Sequence, residues 1–274
     1  ITYLYRHQIG NNVYTLELGL MDISEEEVVN ELVPIVESYL NETLEIVSLK
    51  DSMHHLGYTS LVLKHQQNYS LQYGFQQYAL EPLNCGDSFS AFHQDNLHYL
   101  ALSDGMGQGK MAANESKLTL EVLSKLILNG IGLKDTIDSI NALLKIKNRN
   151  DMFTTLDLCN INLANARMKL IKYGANPSYH IRSGMVEKIA TNSLPVGVVS
   201  KLKMVSYEMP LKNNDLIIMS SDGTGNDFEQ IVNDNVHLYC DQHPQEIATF
   251  LMDQVLEKNN LDDISIIVIK VVNN

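Results

Sequence analysis

SFSAFHQDNLHYLALS, residues 88–103, is the stretch from which the fold can be read. Two short strands flank Asp95-Asn96, residue types that tolerate positive φ, so a hairpin with a two-residue turn is expected here. Counted outward from that turn, Asp87 and Asp104 face one another where the strands open, with Cβ atoms about 4.5–5.5 Å apart. Facing carboxylates repel and destabilise a hairpin unless positive charge lies between them. A divalent cation resolves the conflict; a different turn, or two acids splayed into water, would also do so.

Other strand ends carry acids too. Asp222 ends the apolar run in DLIIMSSDG, and Asp262-Asp263 precede another in LDDISIIVI. Turns favour Asp, which accounts for any one of these alone. It accounts poorly for the shared context of Asp104 and Asp222, each in Ser-Asp-Gly after an apolar strand. Hard oxygen ligands of this kind suit Mg²⁺ or Mn²⁺, preferably in pairs. The loop GMGQGK, 105–110, fails as a phosphate cradle: three residues rather than four separate Gly105 from Gly109, and Met111 follows Lys110. A tight turn beside Asp104, with Gly105 allowing close approach to an ion, is the better reading. The nine histidines, including His54-His55, and the 11 methionines receive no chemical role.

Around this centre the periodicity predicts a strand over 13–20 and a helix from Ser24 to Leu40, with Ser24 as N-cap and Pro34 kinking or splitting it. Strands follow near 58–64 and 69–79, then helices over 110–129 and 134–147. Further strands are expected at 153–163, 167–173, 178–182, 186–190, 203–209 and 215–221. A helix opening on Pro244 and a strand from Ile264 close the chain. Many antiparallel-type strands around a helix pair indicate an α+β fold with two sheets face to face and helices outside.

Composition narrows the function. At 274 residues and 45% hydrophobic, a sizeable core is available, and a formal charge of −13 disfavours nucleic acid and anionic membrane surfaces. Cys85, Cys159 and Cys240 are too widely spaced for a disulfide framework or structural zinc, so a reducing, cytoplasmic setting is the expectation. No run reaches the roughly 18 apolar residues of a membrane span, and no signal peptide is seen. A first residue of Ile marks a fragment by expectation, with any membrane attachment lying outside it.

CGDSFSAF, LALSDGMGQGKMAANES, MFTTLDL, YGANPSY, SLPVGV, LIIMSSDGTG and LDDISIIVI, in that order, resemble the successive motifs of metal-dependent PPM serine/threonine phosphatases, most closely the sporulation stage II protein E type. The resemblance covers residues 66–274, and residues 1–65 resemble the end of a regulatory region preceding the phosphatase. It implies an αββα sandwich with two Mn²⁺ or Mg²⁺ ions between the sheets. Asp87 matches the acid bridging both ions, Asp104 and the Gly105 carbonyl belong to one, and Asp222 and Asp262 to the other, with Asp263 the alternative to Asp262. Asp87 and Asp104 thereby act through metal-bound water, which attacks phosphorus without a covalent enzyme intermediate. Also implied are a phosphorylated anti-anti-sigma-type substrate in sporulation control, dimerisation through the regulatory segment, and a switch function for the helices at 110–129 and 134–147. The pattern lacks a matched arginine beside Asp87 and a matched histidine as leaving-group acid. A catalytically silent binding module and a nucleotide-binding ATPase are the rival readings; the intact Asp set opposes the first and the failed phosphate loop the second.

Overall fold

The computed structural model describes residues 1–8, 14–40, 43–51, 58–81, 84–107, 109–147, 153–239, 241–258 and 262–274. His54, His55, Gln108 and Cys240 lie outside them.

Strands β1 (Tyr3–Gln8), β2 (Tyr14–Met21), β3 (Leu44–Asp51) and β4 (Tyr58–His65) form an antiparallel sheet in the order β1-β2-β4-β3. Leu16, Leu18 and Leu20 alternate along β2 and meet Leu61 and Leu63 of β4 in a separate core, closed by Val28 and Val33. Those two valines lie on a helical stretch made of α1 (Glu25–Glu27), a π-wound turn (Val28–Leu32) and α2 (Val33–Leu40). Ser24 caps it as expected: its hydroxyl accepts from the Glu27 N–H while the Glu27 carboxylate accepts from the Ser24 N–H at 2.8 Å. Pro34 does not split the helix. It has no N–H for the carbonyl one α-turn back, and the residues before it widen into the π turn, in which Val33 N–H bonds to Val28 O.

Two five-stranded antiparallel sheets make up the rest. One, here the hairpin sheet, holds β6 (Asp87–Gln94), β7 (Leu97–Asp104), β8 (Leu156–Asn162), β9 (Arg167–Tyr173) and β12 (Ser206–Pro210), in the order β12-β9-β8-β7-β6. The other, the closing sheet, holds β5 (Tyr69–Tyr78), β10 (Ser178–Arg182), β11 (Met185–Ile189), β13 (Leu216–Ser220) and β14 (Ile264–Asn273), in the order β11-β10-β13-β14-β5. Between them Leu100, Leu102, Cys159 and Leu170 meet Met219 and Ile267 in a shared core. Helices α3 (Lys110–Leu128) and α4 (Leu133–Lys147) cover the outer face of the hairpin sheet through Leu123 and Ile140 against Leu158 and Ile171. Helices α5 (Phe228–Asn235) and α6 (Pro244–Leu256) cover the closing sheet through Phe228 and Leu251 against Ile218 and Ile266. The result is the expected four-layer αββα sandwich. Because β13 and β14 are covered on both faces, their side chains from Leu216 to Ser220 and from Ile264 to Val271 are all buried, which is why both read as largely apolar runs interrupted only by Ser220, Ser265 and Lys270.

Strands β1 and β3 and helix α5 were not expected from periodicity. A register shift between Ile46 and Ser48 breaks the alternation of β3, and β1 is an edge strand whose side chains are largely exposed. Helix α5 has only 8 residues, too short for the 3.6-residue period to stand out. Among the described residues no helix is long and apolar enough to cross a membrane.

Candidate metal centre

The hairpin forms in the expected register. Asp87 pairs with Asp104, and Asp95 at the turn takes a φ of 50°. Both acids share the inter-sheet face with Phe89, Leu100 and Leu102, because alternation along β6 and β7 puts every second residue there. From the closing sheet, Asp222 follows β13 one residue after Ser221, and Asp262-Asp263 lead into β14. Carboxylates from both sheets therefore meet at one end of the sandwich. Asp104 and Asp222 line a common cavity of about 20 Å³.

Their shared field is visible in how each holds its proton. Burial pushes the Asp87 carboxyl up to about 7, against the hydrogen bonds from the Ser221 and Ser265 hydroxyls, and the charges of Asp222 and Asp263 push the same way. Burial also raises Asp104, to about 8, with Asp87, Asp222, Asp262 and Asp263 all contributing. Asp222 is raised by burial and by Asp262. Asp87 Oδ2 is buried with no hydrogen-bond partner among the described residues.

The two Ser-Asp-Gly turns owe their glycines to tertiary contact. A Cβ on Gly105 would lie 2.0 Å from the Ala112 carbonyl oxygen, and one on Gly223 would lie 2.0 Å from the Asp263 carbonyl oxygen. The first turn presses on the start of α3, the second on the start of β14. Asp104 is held by the Thr-Thr pair of MFTTLDL: its N–H donates to Thr155 Oγ1 at 2.9 Å, and its carbonyl accepts from Thr155 N–H at 2.9 Å and Thr154 Oγ1 at 2.7 Å.

Asp262 and Asp263 differ in what they already bind. Asp263 accepts from the Leu80 N–H at 2.8 Å and the Gly86 N–H at 2.6 Å, one on each oxygen, so it ties down the chain leading to β6. Among the described residues Asp262 accepts a local bond to its Oδ1, from the Asp263 N–H at 2.9 Å, and is exposed. Cys85 is half-buried in the same acidic field, and burial with the negative charge of Asp87 pushes its thiol up to about 12, which removes it as a thiolate nucleophile.

The donor chemistry fits divalent cations: hard oxygens, mutual repulsion, and a buried carboxylate oxygen without a partner. As they stand, no three His, Cys, Asp or Glu among the described residues are drawn together closely enough to hold an ion. Beside Asp87 a cleft of about 370 Å³ opens, walled by Ser88, Ser90, Lys117 and the stacked rings of Phe75 and Phe89.

Residues 94–272 match the family described as stage II sporulation protein E (SpoIIE). The chain belongs to the SpoIIE family. Stage II sporulation protein E of Bacillus subtilis is 30% identical over 96% of the chain, which spans 34% of that relative's length. The solved PP2C phosphatase domain of Bacillus subtilis SpoIIE, with a fragment of its regulatory domain, superposes with a TM-score of 0.82 at 27% identity, covering 100% of this chain and 83% of that one. The catalytic domain of the serine/threonine phosphatase PstP, solved in complex with 2 manganese ions, shares the fold at a TM-score of 0.61 and 20% identity, covering 75% of this chain and 100% of that one. The structural neighbours are thus PPM serine/threonine phosphatases and the SpoIIE phosphatase domain, and the α+β sandwich is the PPM fold.

Sequence reasoning missed the residues that support these acids. Ser221, Ser265, Thr154 and Thr155 hold Asp87 and Asp104. All four sit inside the quoted motifs, but a hydroxyl gives no sign in the sequence of which carboxylate it will reach.

Proposed function

We propose that the chain is a metal-dependent protein serine phosphatase that hydrolyses phosphoserine on a regulatory protein. The observation that carries this reading is the meeting of acids from both sheets, with Asp87 buried and one of its oxygens uncommitted. Asp87, Asp104, the Gly105 carbonyl, Asp222 and Asp262 would hold two divalent ions, of which manganese is the choice by analogy with PstP. Asp263, with both oxygens occupied by backbone N–H groups, serves the loop instead. When bound, the ions would supply Lewis acidity and a water of lowered pKa.

The chain's own residues do the rest. Ser221 and Ser265 orient Asp87, and Thr154 and Thr155 fix the backbone on both sides of Asp104. The cleft beside Asp87 gives a substrate segment a place to lie, and its wall carries the cation Lys117, which can meet a phosphoserine dianion, beside the carboxylate of Glu121. Residues 66–274 are the phosphatase domain in this reading, and residues 1–65 the end of a regulatory region. Its helix exposes Ile35 and Tyr39, 65% and 89% accessible, which supports pairing with a second copy. The substrate would be a phosphorylated anti-anti-sigma-type protein in the cytoplasm, in keeping with the sporulation family.

The test is phosphate release from a phosphoserine regulator protein with Mn²⁺, with chelator, and with Asp222→Asn. Release that requires Mn²⁺ and falls at least about 100-fold in the variant supports the reading. Equal release in chelator, or full activity in Asp222→Asn, overturns it.

A further inference from the structure

An ion pair lies buried between the sheets, one row inward from the Asp87–Asp104 pair. Lys172 of β9 and Asp157 of β8 are in register with one another, and Asp157 is in register with Leu102, which faces Phe89. Lys172 is 0% and Asp157 1% exposed. The Lys172 ammonium contacts Asp157 Oδ2 and donates to Ser178 Oγ at 2.8 Å, and Ser178 Oγ donates to Asp157 Oδ2 at 3.3 Å. Ser178 begins β10, so the cluster joins the hairpin sheet, which carries Asp87 and Asp104, to the closing sheet, whose β13 runs toward Asp222 and whose β14 follows Asp262.

Asp157 has a second oxygen. Oδ1 is buried without a hydrogen-bond partner among the described residues, and Asp157 lines the same cavity as Asp104 and Asp222. At about 20 Å³ that cavity suits one water molecule, which needs roughly 10–15 Å³ and two or more polar neighbours. Stability alone gives no reason for such a cluster, because well-packed apolar residues in place of a buried ion pair are commonly neutral or stabilising. What apolar residues cannot do is fix the spacing and register of two sheets through directed bonds, or present an oxygen to the carboxylates next to them.

We propose that Lys172, Asp157 and Ser178 are positioning residues of the metal centre: they set the two sheets in register there, and Asp157 Oδ1 orients Asp104 and Asp222 through a water in the shared cavity. This rests on the metal-dependent reading above.

The experiment titrates Mn²⁺ into the purified protein by calorimetry, records the electron paramagnetic resonance spectrum of bound Mn²⁺, and measures thermal unfolding in chelator. It compares the wild type with an Asp157→Leu/Lys172→Met double variant and with Ser178→Ala. The double variant is expected to bind Mn²⁺ about 10–100-fold more weakly, the range for residues that support metal ligands, with an altered spectrum and an unchanged or higher metal-free midpoint. Unchanged affinity and spectrum overturn the proposal. If the double variant is also less stable, Ser178→Ala decides, since it keeps both charges and removes only the two bonds that Ser178 makes across the sheets: weaker Mn²⁺ binding supports the proposal, and unchanged binding overturns it. A wild type that binds no Mn²⁺ overturns the metal reading itself, a result distinct from equal binding by wild type and variants.

Discussion

A methyl group added at Gly105 would collide with the backbone carbonyl of Ala112, at the start of α3, and one added at Gly223 with that of Asp263, 40 residues away in sequence; neither carbonyl can swing aside as a flexible side chain would. Gly223→Ala is therefore expected to cost about 1–3 kcal/mol, read as a lower urea midpoint at unchanged slope. The adjacent acids should separate by readout. Asp263→Ala removes the acceptor of two backbone N–H bonds and is expected to cost about 3 kcal/mol in chemical unfolding. Asp262→Ala, at an exposed position, should shift stability by less than about 0.5 kcal/mol while abolishing Mn²⁺-dependent phosphate release. At this scale the sequence displays the repeated Ser-Asp-Gly and the doubled Asp. It hides their reasons, because these lie in contacts with Ala112, Leu80 and Gly86 that exist only after folding.

Among elements, α4 is tied to the site by a route that its amphipathic pattern does not reveal. Asn141, buried on α4, donates to the Val199 carbonyl at 2.9 Å and accepts from the Gly197 N–H at 2.8 Å. Val196, next to Gly197, exchanges backbone bonds with Thr154, the residue that holds the Asp104 carbonyl. Asn141→Leu leaves that N–H and carbonyl unpaired, and a loss of about 1–3 kcal/mol is expected, with faster hydrogen exchange at Thr154 and Val196. The bounds of α3 and α4 were legible to within a residue because two turns or more of apolar periodicity average out local noise. Strand β3 was not, since one shifted residue inverts the face of everything after it.

For the whole molecule, charge and proton binding make an opposite pair of predictions. Asp87 near 7 and Asp104 near 8 lie above their unfolded values, so between about pH 4 and 8 the metal-free folded protein holds more protons than the unfolded chain. Stability in chelator should therefore fall as pH rises through that window, and the reduced self-repulsion of a chain with net charge −13 works in the same direction at low pH. Below about pH 4 the trend reverses: Asp215, which burial alone would raise but which hydrogen bonds from Arg182 and the close approach of His180 hold down to about 2, stabilises the fold only while ionised. Differential scanning calorimetry in chelator should give a midpoint several degrees higher at pH 5 than at pH 8, with Asp87→Asn flattening the slope and saturating Mn²⁺ removing it. The layered α+β architecture was legible because alternation and helical period each recur many times. The meeting of the two sheets was legible only where acids announced it, since the cross-sheet partners Ser178 and Ser265 look like ordinary strand residues. The pairing of β5 with β14 has one more consequence. Tyr78 lies beside Ile264 and Tyr69 beside Asn273, so the first strand of the closing sheet waits on a ribosome for nearly the whole of the rest of the sandwich before it has a neighbour. Such late, long-range closure predicts slow folding with an exposed strand edge in the interim, and makes this domain a natural client for chaperones during synthesis.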